Sequence, residues 1–209
     1  MEEPNETLRT EHHDIERLLA ALGVIAAMIQ EGVAFPSKDI GRALAVIACF
    51  IDRCHHGKED NVFFPAVSKA SPSSGTELAR RLASDHRAFR QLASSMNALL
   101  QRAQTEWQAR GILAKDIYAY TRLVRLHVRV EEDELFKEVE RSIERGERAK
   151  ITIEFEIEEI GRDAHKNHLE TIGSLVKAYI RQAVFLDRSL LAAVCGSSFF
   201  STTFSSTFS

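Results

Sequence analysis

The 209-residue sequence is poor in the residues that punctuate β structure, with ten Gly and four Pro. An all-β domain needs a turn signal about every 8–12 residues, so that class is excluded. Cysteine is scarce as well. Cys49, Cys54 and Cys195 are an odd set without a CxxC pair, which argues against a disulfide framework and fits a reducing cytoplasm. Neither sign of charge prevails, because 27 Lys and Arg face 30 Asp and Glu for a net charge of -3. That removes any general electrostatic case for nucleic acid or an anionic membrane. Long apolar runs are also missing. Ala43–Ile51 is far shorter than the roughly 20 residues of a membrane span, and the apolar stretch 183–200 carries Asp187 and Arg188 near its middle. The opening Met-Glu-Glu-Pro-Asn-Glu has no apolar run of the secretory kind. The expectation is a cytoplasmic protein with no membrane and no nucleic acid partner.

What is present is ordinary globular material, 44% apolar and 27% charged, enough for one domain with or without a tail. Apolar residues recur at three and four. Leu8, Ile15, Leu19, Leu22, Ala26 and Ile29 form a helical stripe over 6–31, closed by Gly32 and Pro36. A second helix opens near Ser37 with Leu44, Ile47, Ile51 and Val62, and Pro65 ends or kinks it. A third starts near Thr76 with Leu82, Phe89, Ala93, Met96 and Leu100. A fourth carries Ile117, Tyr120, Val124 and Leu135 and ends before Gly146. The predicted fold is all-α, an up-down-up-down four-helix bundle over 5–145 with an additional C-terminal helix. Ile151–Glu158 alternates apolar and polar as a strand does, but it has no second strand to pair with. We therefore expect 151–182 to be helical, within an extension over 150–190 that packs on the bundle. Residues 197–209 are only Ser, Thr and Phe and are expected to be a disordered tail.

The eight histidines carry the chemical signal. Extending each stripe gives Leu8-His12-Ile15, Ile51-His55-Glu59-Val62, Leu82-His86-Phe89 and Val124-His127-Glu131-Leu135. Each of four helices thus puts a His on its core side, and two add a Glu four residues later. A spacing of four stacks both groups on one face, about 6 Å apart along the axis. Burying two unpaired carboxylates costs several kcal/mol each, and no Lys or Arg shares these seam positions. Metal ions are the natural counter-charge. Six such ligands, His12, His55, Glu59, His86, His127 and Glu131, are more than one ion needs. Imidazole with carboxylate and no thiolate suits iron, manganese or zinc. Cys54 adjoins His55 but lies about 100° round the helix. The Glu-xx-His spacing of ferritin-like di-iron bundles is absent, since Arg9, Asp52, Ala83 and Val124 stand three before these histidines.

These residues sit in recognisable blocks: Glu11-His12, His55-His56-xx-Glu59-Asp60-xx-Phe63-Phe64-Pro65, Asp85-His86, and His127-xxx-Glu131-Glu132-xx-Leu135-Phe136. Over about residues 5–140 the chain resembles the hemerythrin-like, HHE cation-binding family. His165-xx-His168, after Phe155-x-Ile-Glu-Glu-Ile-Gly161, resembles the extra C-terminal helix of many members. The resemblance implies two iron ions in a non-haem Fe-O-Fe centre bridged by the two Glu. It also implies binding of dioxygen, nitric oxide or peroxide in sensing or stress response. The sequence departs from the oxygen carriers in two places. Arg90 stands where they carry a second His on the third helix, and Glu131 and Glu132 replace their His-xxxx-Asp spacing. One iron then lacks an imidazole, which His56 or His13 could supply.

A count of bonds leaves room for a ligand. Four His and two bridging Glu give about eight bonds and an oxo or hydroxo bridge about two, against about twelve for two six-coordinate irons. Asp85, Asp52 and Tyr120 are candidate partners for the outer imidazole N–H groups. Leu135, Phe89 and Ile15 would keep the site dry. The expected partner is a small diatomic ligand or peroxide, with an unidentified redox partner. The alternatives are a metal-dependent sensor or interaction module, a peroxidase-type di-iron enzyme, and a bundle whose histidines are merely packed.

Overall fold

The computed structural model describes residues 3–159 and 164–180. The described residues are helical with no strand, and they form a helical bundle. Helix α1 spans Pro4–Gln30. Pro4 opens it where a missing N–H costs nothing. Gly32, at φ 67°, closes it, with Val33 N–H bonding Met28 C=O and Gly32 N–H bonding Ile29 C=O. Helix α2 runs from 37 to 70 without a break, and helix α3 spans Ser74–Arg102. Helix α4 runs from 107 to 142. Helices α5, Arg145–Glu159, and α6, Ala164–Tyr179, follow.

Two long helices depart from regular α geometry. In α2 the turns Ile47–His55 and Glu59–Phe63 bond i→i+5, and in α4 so does Glu131–Leu135. Such widened turns cluster at functional sites. Pro65 neither ends nor breaks α2, which continues to Ala70. The widened turn just before it relieves the crowding a Pro ring meets in a regular helix.

Cross-helix pairs set the packing. Asn5 with Phe136 and Glu16 with Arg125 run α1 antiparallel to α4. Arg81 with Glu134 and Ser95 with Asp116 do the same for α3 and α4. Helix α2 packs on α3, and α1 packs on α2 and α4.

The alternating run Ile151–Glu158 is helical within α5. Ile151 and Phe155, four apart, face inward, while Ile153 and Ile157 stay 44% and 59% exposed. The period-two alternation merely splits the apolar residues between opposite helix faces. The extension also begins earlier than expected. Ile143 turns extended after Ser142, and α5 starts at Arg145. Residues 160–163 and the expected tail at 197–209 lie outside the described residues.

The core has two apolar clusters. One holds Leu8, Phe63, Leu82, Leu135, Phe136 and α5's Phe155. The other runs from Ile15 on α1, through Phe50 and Phe89, to Ile172 and Tyr179 on α6. Because α6 lies over its outer side, α1 is buried on every face from Leu18 to Ile29. Each fully buried Leu or Ile contributes roughly 1.5–3 kcal/mol. Helices α1 to α4 all cross from one cluster to the other, and they cross at the histidines. No described helix is long and apolar enough to span a membrane.

Candidate metal centre

The crossing point is a polar layer sealed from water. His55, Glu59, His86 and Glu131 are 0% exposed, His56 is 1%, and His12 and His127 are 4% and 3%. Their donor atoms form two groups, each with all atoms within 4.8 Å of one another. One group is His56, Glu59, His86 and His127. The other is His12, His55, Glu59 and Glu131.

Glu59 belongs to both groups, and Glu131, a member of the second, also reaches His127 of the first. Glu59 Oε1 lies 3.5 Å from His55 Nε2, and its Oε2 lies 3.3 Å from His86 Nε2. Glu131 Oε1 lies 2.8 Å from His127 Nε2, and its Oε2 lies 3.2 Å from His12 Nε2. Each Glu therefore offers one oxygen to either side. None of these four oxygens completes an aligned hydrogen bond, nor does Nε2 of His12 or His55. Orphaned buried polar atoms are costly. Here they converge on common points, and their chemistry fits a pair of cations.

The outward nitrogens are held by a ring of acids. His55 Nδ1 donates to Glu11 at 2.9 Å and His86 Nδ1 to Asp60 at 2.9 Å. His127 Nδ1 donates to Asp85 at 3.3 Å and His12 Nδ1 to Glu132 at 2.9 Å. A carboxylate can only accept, so Nδ1 carries the hydrogen and Nε2 is turned inward. Metal-binding imidazoles are oriented in this way. Every acid sits beside a site residue of its own helix and serves the next helix: α1 serves α2, α2 serves α3, α3 serves α4 and α4 serves α1.

Aromatic rings fix the imidazoles further. His12 stacks on Phe136 at 5.8 Å between centroids. His86 lies between His56 at 3.9 Å and Phe64 at 5.5 Å, while Phe89 meets His127 edge-on at 5.1 Å. Leu135, Phe89 and Ile15 are all buried beside the layer.

Without an ion the positive charge is carried by protons. Burial opposes an imidazolium at His12, but Glu131 and Glu132 outweigh it and raise its pKa to about 9. At His127 burial likewise opposes, and Glu131 and Asp85 raise the pKa to about 10. Burial also works against the Glu131 anion, yet His127 and His12 hold it well below the usual carboxylate range. Burial first, and then the neighbouring imidazoles, His86 foremost, hold the pKa of His56 well below the usual imidazole range.

Of the residues singled out in the sequence, His12, His55, Glu59, His86, His127 and Glu131 come together here, and His56 joins them. The widened turn 47–55 lets both adjacent histidines face inward. His13 is exposed and lies in neither group. Cys54 belongs to the apolar cluster around Ile15. His168 is half-buried on α6 and in neither group, and the side chain of His165 lies outside the described residues. Asp85 backs an imidazole as expected. Asp52 lies 3.8 Å from His56 Nδ1, too far for a hydrogen bond, and is bound by Arg90 at 2.8 Å. Tyr120 is buried edge-on to Phe89, and the four outward nitrogens bond acids instead. Sequence reasoning placed Glu11, Asp60 and Glu132 in the family's blocks but missed their role behind the imidazoles, and it missed Lys58 altogether. The signal for the three acids was an acidic neighbour beside a seam residue.

Comparison with known proteins agrees with this chemistry. The family model for the hemerythrin HHE cation binding domain matches residues 3–139. No curated protein and no solved structure matches the chain.

Proposed function

The chain belongs to the hemerythrin HHE cation-binding domain family, and from that premise we propose that it holds two iron ions and binds dioxygen, nitric oxide or a peroxide in the cytoplasm, in sensing or stress response. The observation that carries this reading is that two buried donor groups share Glu59, while Glu131 of one group reaches His127 of the other. Manganese or zinc would fit the same donors. His56, His86 and His127 would hold one ion, His12 and His55 the other, with both Glu between them. His56 takes the place left open by Arg90, which instead pairs with Asp52 and Asp60 at the surface.

The two sides differ. One has three imidazoles and the other two, so an ion on the His12–His55 side would have fewer protein donors and would be the one to take a small ligand. A bound iron pair supplies a redox-active Lewis-acid centre there. The protein's own residues do the rest. The acid ring fixes four of the five imidazoles, the two apolar clusters exclude bulk water, and the low-dielectric layer strengthens interaction with a polar ligand.

The test is titration of the iron-loaded, anaerobically reduced protein with nitric oxide, dioxygen and hydrogen peroxide, followed by absorbance. Saturation by one of them near one equivalent per iron pair is expected. Absence of a spectral change with all three contradicts the reading. Repeated turnover of peroxide would make the protein an enzyme rather than a binder.

A further inference from the structure

One link in the acid ring is built unlike the others. Glu132, Asp60 and Asp85 have side chains 41%, 27% and 45% exposed, so water can solvate them, and the second oxygen of Asp60 meets only the surface Arg90 at 3.6 Å. Glu11 is 6% exposed at its side chain and uses both oxygens inside the protein. Its Oε2 accepts from His55 Nδ1 at 2.9 Å, and its Oε1 accepts from the Lys58 ammonium. Lys58 is itself 0% exposed, lying under α5 with its Nζ 5.9 Å from the Phe155 ring centroid.

A buried carboxylate or ammonium without a counter-charge costs several kcal/mol, and Glu11 and Lys58 offset that cost for each other. A carboxylate pinned at both oxygens cannot rotate. The ring it holds is then fixed before any ion arrives, and such orientation is what metal affinity depends on.

We propose that Lys58 is a positioning residue for the metal centre: by pinning Glu11 it locks the His55 imidazole with Nε2 inward and so builds the His12–His55 side in advance. The proposal rests on the two-ion reading above. Lys58 touches neither an ion nor a small ligand, and it acts only through Glu11. The centre is therefore asymmetric in construction as well as in imidazole count. On the side with fewer imidazoles one ring, His55, rests on a buried acid held at both oxygens, whereas His12 and the acid-backed rings of the other side rest on acids that water can reach.

The test compares the full-length protein with Lys58→Met, Glu11→Gln and the double variant Lys58→Met/Glu11→Gln. Ferrous ion is titrated anaerobically into each metal-free protein, and the melting temperature of each is measured by circular dichroism. Lys58→Met leaves the Glu11 charge buried without its cation. It should retain one ion and bind the second about 10- to 100-fold more weakly. Glu11→Gln has a single carbonyl oxygen for two donors, His55 Nδ1 and Lys58 Nζ, and should weaken the same ion. The double variant removes the competing donor and leaves the amide oxygen to His55 Nδ1–H, so it should recover two ions. A purely structural Lys58 would lower the melting temperature of Lys58→Met but leave its two affinities unchanged, and that result overturns the proposal. So does a double variant that folds and still binds one ion. If Lys58→Met does not fold, the double variant and Glu11→Gln decide. If the unaltered protein binds no pair of ions, it is the two-ion reading that fails.

Discussion

Glu132 on α4 accepts a hydrogen bond from His12 Nδ1 on α1 at 2.9 Å. That contact closes the ring, because Glu11, Asp60 and Asp85 pass the same service from α1 to α2, α2 to α3 and α3 to α4. Two neighbouring acids on α4 thus have different tasks. Glu131 faces the centre with both oxygens, while Glu132 holds an imidazole from behind.

These tasks predict different losses. Glu131→Ala removes a donor from both sides and should leave the protein with at most one tightly bound ion. Glu132→Ala should keep two, with affinity on the His12 side reduced about 10- to 100-fold. Metal titration of both variants checks this, and the reverse order would place Glu132 at the centre.

His56 and His13 are both second members of His-His pairs, yet one is 1% exposed and the other lies at the surface. His56→Leu should weaken the ion of the His86–His127 side by an order of magnitude or more. His13→Leu should leave both affinities unchanged, and surface substitutions of this kind usually move stability by less than about 0.5 kcal/mol. Metal titration with a melting curve on each variant distinguishes them. Two intact sites in His56→Leu would exclude His56 from the centre.

The inner layer was legible in the sequence because its information is local. His55 to Glu59 and His127 to Glu131 each span four residues, and a single helical stripe shows which face they share. The ring was not legible, since Glu11 lies 44 positions from His55 and Glu132 lies 120 from His12. Those pairings depend on which helix neighbours which and in what register. Nor does periodicity reveal an i→i+5 turn, which is why His56 looked misaligned. Lys58 escaped notice for a third reason. It sits off the seam and becomes buried where α5 covers α2 through Phe155.

The raised imidazole pKa values make the metal-free protein sensitive to alkali. An imidazole whose folded pKa is raised stabilises the fold fully below its unfolded value of about 6.5, and this is lost as pH rises through the folded value. For His12, raised to about 9, the contribution is on the order of 3 kcal/mol. His127, raised to about 10, shares Glu131 and adds less than its own full amount. Each kcal/mol moves the melting temperature by about 2–4 °C in a chain of this size. The chelated protein should therefore melt roughly 6–12 °C lower at pH 10 than at pH 7. Glu131→Gln, which lacks the shared anion, should show a smaller drop. An equal melting temperature at both pH values would contradict the protonated state of the site.

Protons on His12 and His127 must leave when ions enter, so metal affinity should rise with pH below about 9. Calorimetric titration in two buffers of different ionisation enthalpy measures the release directly. At least about two protons per chain are expected near pH 7.5, since burial of the His86 imidazole is also outweighed by Asp60 and Glu59, which raise its pKa, and none would contradict the metal-free charge state.

The most direct test of the central claim, two ions shared by Glu59 and Glu131, is elemental analysis of the protein purified aerobically from iron-replete cells, set beside the same measurement on a Glu59→Ala/Glu131→Ala variant. Close to two irons per chain, falling to near zero in the variant, is the predicted result. A single zinc with no iron, or the same metal content in both proteins, would contradict it.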